Sequence, residues 1–160
     1  MNNAAAGRTD KASRVICASS ETIYRAIMDP NALAKWLPPT GMSAQIFSFD
    51  PRAGRGYRMA LSYQQADHAT TGKTSEHVDV VEVRFTELAP GERIVQVVEF
   101  ESDDPAFAGE MKMTWSLVPV SGGDSTEVTI LCENVPVGIG KEDHDAGLKS
   151  TLENLAAFTE

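Results

Sequence analysis

"KEDHDAGLKSTLENLAAF", Lys141 to Phe158, is the stretch on which the fold turns. Leu148, Leu152 and Leu155 recur at spacings of four and three, the period of one helical face. Acids crowd its first turn, where the helix dipole favours negative charge, and a loop with Pro136, Gly138 and Gly140 precedes it. The pattern predicts a long terminal helix from about Lys141 to Phe158, the only large amphipathic element in the chain.

What precedes that helix reads as strand. Turn signals at Pro51-Arg52-Ala53-Gly54, Gly72-Lys73, Pro90-Gly91, Asp103-Asp104-Pro105 and Gly122-Gly123-Asp124 divide Ala44 to Cys132 into six successive strands. Tyr57, Met59, Leu61 and Tyr63 share one face against Arg58 and Ser62. Met111, Met113, Trp115 and Leu117 oppose Lys112, Thr114 and Ser116, and Val128, Ile130 and Cys132 oppose Glu127 and Thr129. The runs Val80–Val83 and Ile94–Val98 are apolar in both registers, as in strands covered on both sides, with Val81, Val83 and Phe85 read as inward.

Ahead of these strands, Ala12 to Ala18 reads as a first strand, and Ser19-Ser20-Glu21 supplies a helix N-cap with an acid in the first turn. Ile23, Ala26 and Ile27 keep helical spacing, Asp29-Pro30 ends that helix and opens another, and Pro38-Pro39 stops the second. Trp36 poses a problem, because a helix two turns long has little surface on which to hide an indole.

The order is strand, two short helices, six antiparallel strands and a long helix, which is an α+β architecture in one domain, with residues 1–11 a loose N-terminus. A long antiparallel sheet twists and curls, so its concave side needs a cover. The terminal helix is the element available, and a curved sheet gripping one helix leaves space between them.

Composition removes several function classes. A net charge of −9 with no Lys/Arg cluster argues against nucleic acid or an anionic membrane surface as partner. The polar start MNNAAAGRTDKAS lacks the apolar core of a secretory signal, and no stretch approaches the ~18 apolar residues of a membrane span, so a cytoplasmic location is expected. Cys17 and Cys132 lie in apolar runs and read as buried reduced thiols, without the clustered His a zinc site would need. No nucleotide loop, GxSxG elbow, HExxH or metal spacing occurs, so neither a cofactor nor a metal is expected.

The run ETIYRAIMDPNALAKWLPP, the turn DPRAGRGYRM, the hairpin MKMTWSLVPVSGGDSTEVTI and the closing DHDAGLKSTLENLAAF together resemble the helix-grip (START-like, SRPBCC) superfamily. Within it they are similar to the branch of the activator of heat shock protein 90 ATPase homologues, from about Ser13 to Phe158. The resemblance implies a curved antiparallel sheet wrapped around the C-terminal helix, with a hydrophobic cavity between them. It also implies that the first and last strands are antiparallel neighbours, which keeps Cys17 and Cys132 beyond the ~7 Å that a disulfide spans. Where that branch usually shows a Gly-Trp pair at the start of the last helix, this chain has Gly147-Leu148.

Under this resemblance Trp36 is either a wall of the cavity or a plug of its end. The ligand-binding set expected from it and from the inward strand faces is Trp36, Tyr57, Met59, Tyr63, Phe85, Met111, Met113, Trp115, His144, Leu148 and Leu152. Methionines give a deformable lining, although the same residues also fill core gaps. His144, between Asp143 and Asp145, is either a guard of the pocket mouth or part of a solvated first turn.

The leading functional expectation is binding of a small apolar or aromatic molecule without catalysis. The alternative is an enzyme of the cyclase or hydrolase type with a dispersed site, its acid/base group being His144 or His77 with Asp79, a pair that a fraying strand end would equally place in solvent. A co-chaperone module, using the acids Glu99, Glu101, Asp103 and Asp104 against a protein partner, is the third reading; the separate client-grasping domain of the full-length co-chaperone has no counterpart in these residues.

Overall fold

The structure is a computed structural model that describes residues 7–38, 42–63 and 78–160. The chain runs β1 (Arg8–Ile16), α1 (Ser20–Met28), α2 (Pro30–Trp36), β2 (Met42–Phe47), β3 (Gly56–Tyr63), β4 (Val78–Ala89), β5 (Arg93–Phe100), β6 (Met111–Val120), β7 (Ser125–Val135) and α3 (Lys141–Thr159). Single 3₁₀ turns interrupt the loops at Pro105–Phe107 and Ser121–Gly123. This is the α+β order expected, with the six strands and the terminal helix where the turn signals and the leucine spacing put them.

The described strands form one antiparallel sheet in the order β1-β7-β6-β5-β4-β3-β2. Strands β2 to β7 are a meander, and β1 adds to the free edge of β7, so the first and second strands lie at opposite edges. The helices α1 and α2 carry the chain between those edges, α1 against β6 and α3, α2 against β2 and α3. The register shifts between β1 and β7 at Arg8/Asp10, where β7 carries the extra residue, and between β4 and β5 at Phe85/Glu87, where β4 carries it; such bulges bend a sheet.

Local chemistry fixes the helix ends. Ser19 caps α1 by accepting a hydrogen bond from the Thr22 N–H at 3.2 Å, and Asp29, which ends α1, accepts from the Asn31 N–H at 2.9 Å to start α2. Trp36 solves its problem by leaving the surface of its own helix. Its Nε1–H donates to the Ala26 carbonyl in the last turn of α1 at 2.8 Å, and its ring meets Trp115 edge to face with centroids 6.1 Å apart.

Val81, Val83 and Phe85 are buried as expected, with Ile16, Ile23, Leu33, Ile94, Val128, Ile130, Leu152 and Leu155 in the same core. Thr126 is fully buried on β7 and donates to the Ala18 carbonyl at 2.8 Å, which anchors the exit from β1.

Two expectations need correction. Strand β1 begins at Arg8, so Arg8–Lys11 are not part of a loose N-terminus: they pair with β7, and Asp10 has a fully buried side chain. Cys17 is exposed rather than buried, because β1 ends at Ile16 and Cys17 already lies in the turn toward α1, its N–H donating to Glu160 Oε2 at 3.0 Å. Cys132 is buried, and burial pushes its thiol up to about 12. Both thiols are free: Asp10 sits opposite Cys132 and Ile16 opposite Thr126, which sets the cysteines well apart along the β1–β7 ladder.

The first turn of β3 lies hard against β4. A Cβ at Gly56 would stand 1.8 Å from the Val83 carbonyl oxygen, a backbone atom that cannot swing away. Gly56→Ala is expected to lower the stability by about 2 kcal/mol or more, read as a fall in the urea midpoint at unchanged slope.

Candidate functional site

A cavity of about 250 Å³ lies between the concave face of the sheet and the three helices. Period-two alternation aims Tyr57, Met59 and Leu61 of β3 into it, and likewise Met111, Met113 and Trp115 of β6. Gln96, Val98 and Phe100 of β5 and Val81 and Val83 of β4 complete its floor. From α3 come His144, Gly147, Leu148 and Thr151, spaced three, four and seven residues along one helical face. Ile27 of α1 with Leu33 and Leu37 close the end.

Of the expected ligand-binding set, the structure brings Tyr57, Met59, Met111, Met113, Trp115, His144 and Leu148 to this wall. Trp36, Phe85 and Leu152 stand behind it in the core instead. Phe85 packs against Tyr57 and Phe49 at centroid distances of 5.9 Å each, so it buttresses a lining residue without reaching the space. Tyr63 ends β3, and its side chain lies outside the described residues, as does His77. Asp79 is buried on the face of β4 that carries Val81.

Sequence reading missed Gln96, Val98 and Phe100, whose own alternation was hidden because β5 is apolar in both registers. It also missed Gly147 and Thr151, which the helical period through His144 and Leu148 would have found.

The polar groups at this apolar wall are few. Burial raises the Tyr57 phenol, which therefore stays protonated. The Gln96 amide is buried with Nε2 3.3 Å from the Met113 sulfur. The Thr151 hydroxyl donates to the Gly147 carbonyl at 2.9 Å. Among the described residues, the Trp115 Nε1–H is buried without a hydrogen-bond partner.

His144 belongs to a larger assembly. Its Nδ1 lies 2.7 Å from Oδ2 of Asp10, a carboxylate with no solvent exposure on the edge strand. Arg8 grips the same carboxylate through Nε at 2.9 Å and Nη2 at 2.8 Å, and its Nη2 also donates to the Ile139 carbonyl. Lys141 reaches Asp10 Oδ1 at 3.3 Å while pairing with Asp145 one helical turn on. The Arg8 guanidinium first, then His144 and Lys141, hold the Asp10 carboxyl well below the usual carboxylate range against the opposing effect of burial. Nothing in the sequence marked Asp10, since a lone acid in a polar N-terminal stretch reads as solvated.

A curved antiparallel sheet closed by a C-terminal helix over an apolar chamber defines a helix-grip protein. More narrowly, the chain belongs to the family described as Activator of Hsp90 ATPase homolog 1-like protein, whose pattern matches residues 17–160. It is similar to the crystal structure of protein CV1439 from Chromobacterium violaceum, with 36% identity over 95% of this chain and 96% of that one, at a TM-score of 0.81. Protein MLL2253 from Mesorhizobium loti shares the fold at 20% identity, 94% and 96% coverage and a TM-score of 0.69. A protein from Arthrobacter aurescens, solved by NMR, shares it at 14% identity, 94% and 85% coverage and a TM-score of 0.77. No protein with a curated description matches. The family is one of ligand-binding or regulatory domains, and among the described residues no helix is long and apolar enough to cross a membrane.

The sign of the Asp10 effect follows from its lowered pKa. The folded protein binds this proton less readily than the unfolded chain, whose carboxyl titrates near ~3.9. The stabilisation is therefore full above about pH 5 and declines as pH falls through 4 toward the folded value. Asp10→Asn is expected to destabilise by about 2 kcal/mol at neutral pH. Urea melts of variant and parent are expected to draw closer between about pH 5 and about pH 3 without meeting, because the folded carboxyl keeps its charge well below the unfolded range.

Proposed function

We propose that this protein binds a small apolar or aromatic molecule in the cavity between the sheet and α3, as a single helix-grip domain of the cytoplasm and without catalysis. The observation that carries this reading is the chamber itself: about 250 Å³, with thioethers, aromatic rings and aliphatic groups for walls and few polar atoms. An engineered apolar cavity of about 150 Å³ admits benzene, so this one has room for a molecule of one or two rings. Tyr57, Met59, Met111, Met113, Trp115, His144 and Leu148 make the contacts, Trp36, Phe85 and Leu152 hold them in place, and Tyr63 continues the β3 register of Tyr57 and Met59.

The acidic hairpin favours a chaperone partner less. Glu101 forms a two-point ion pair with Arg58, with Nη2 at 2.8 Å, and Asp104 caps the 3₁₀ turn by accepting from the Ala106 N–H. Two of those four acids are thus engaged within the fold.

Two measurements test the binding reading. Native mass spectrometry of protein purified from its host is expected to carry a bound apolar species, and a hydrophobic library is expected to raise Tm by mass action. Protein that emerges empty and shifts with no compound overturns it.

Gly147 supplies a sharper test, because it is exposed, lines the cavity, and would place a Cβ with nothing within 4 Å. Gly147→Ala is expected to stabilise by about 0.5–1 kcal/mol, since alanine loses less backbone entropy within a helix. Gly147→Trp is expected to keep the fold and abolish the ligand-induced shift by filling the mouth.

A further inference from the structure

We infer that the molecule held in this cavity carries a hydroxyl group and donates it to Nε2 of His144. The inference rests on the binding reading above and adds the chemistry of the ligand's polar end.

Asp10 fixes the state of the imidazole. Its carboxylate is buried, gripped by Arg8 and approached by Lys141, and an ionised carboxylate only accepts hydrogen bonds. The 2.7 Å contact with His144 is therefore Nδ1–H donating to Oδ2. A neutral imidazole has one ring proton, so fixing it on Nδ1 leaves Nε2 as a lone-pair acceptor.

Nε2 points to the other side of the ring from Asp10. Among the described residues it has no hydrogen-bond partner, and it is not among their buried unpartnered atoms, where the Trp115 indole nitrogen stands alone. His144 lines the cavity and is itself mostly buried. Among the described residues no donor is seated on it: the Thr151 hydroxyl donates to the Gly147 carbonyl, and the Gln96 amide nitrogen lies 3.3 Å from the Met113 sulfur.

An acceptor fixed in tautomer and orientation, at the rim of a mostly apolar chamber, selects a ligand with one donor on an apolar body. A phenol or a compact alcohol meets that description. Ketones, ethers and bare hydrocarbons leave the lone pair unmet, and a buried polar group left unpaired costs affinity. Asp10, which never touches the ligand, acts as a positioning residue by fixing the imidazole tautomer.

Calorimetric titration of the full chain near neutral pH with naphthol, its methyl ether and naphthalene tests this. The three share an apolar body, and only naphthol can donate. Naphthol is expected to bind roughly five- to tenfold more tightly than the ether, the worth of one hydrogen bond. His144→Phe is expected to bring the two within about twofold while naphthalene binding persists.

Nitrogen NMR of the unsubstituted protein supplies a readout that does not depend on a variant folding. The free protein is expected to show Nδ1 protonated and Nε2 bare, with the Nε2 resonance moved by naphthol and not by the ether. Equal affinity for naphthol and its ether, or a free-state spectrum with the proton on Nε2, overturns the inference and leaves the cavity reading standing. No binding of any of the three overturns the cavity reading, and this inference with it.

Discussion

The buried carboxylate of Asp10 holds the two ends of the fold together. It sits on the edge strand β1, near the start of the chain, and its partners are Arg8 beside it and Lys141 and His144 in the first turn of the closing helix. A charge taken out of water at this position is tolerated only because donors reach it from several directions. The consequence is mechanical, because the N-terminal end of α3 cannot lift from the sheet without uncovering that charge. The span of α3 beyond Lys141 is then free to cross the concave face at a stand-off, fastened at its far end by Leu152, Leu155 and Ala156. Between the fastened ends the helix presents His144, Gly147, Leu148 and Thr151 to open space.

Much of this was legible in the sequence. Strand β6 alternates Met111, Met113, Trp115 and Leu117 with polar partners, and a one-residue slip would send every one of those large groups to solvent, so its inward face was determined. The terminal helix was equally readable from its leucines. The caps at Ser19 and Asp29 follow from side chains that satisfy amides in their own turn, and so required nothing from the rest of the chain. All of these are local or strictly periodic signals.

What escaped the sequence is long-range or energetic in origin. Asp10 meets His144 across 134 positions, and no local pattern distinguishes an acid that will be buried among cations from one that will be solvated. Trp36 escaped in the other direction. Its period placed it on the inward face of α2, yet its indole nitrogen bonds to Ala26 of the preceding helix, so the ring joins the two short helices to each other and to Trp115. A sequence gives the face on which a ring lies, whereas the packing of neighbouring elements decides whether a void stays in front of it.

The void itself follows from which residues α3 sets over the sheet. A close-packed interior leaves few spaces larger than a water molecule, so a chamber of about 250 Å³ needs a reason. At the level where α3 passes over β3 to β6 its contribution is Gly147, with no side chain, and Leu148, a smaller group than an indole. The floor opposite consists of Met59, Met111 and Met113, unbranched chains able to rearrange at small cost. A sheet bent by bulges in β7 and β4 cannot flatten to meet the helix, and the helix cannot descend, because Asp10 fixes its first turn and Leu155 its last. Filling the gap from either side would take a larger residue at 147 or 148. Their small size at the one place where sheet and helix are held apart keeps the chamber open.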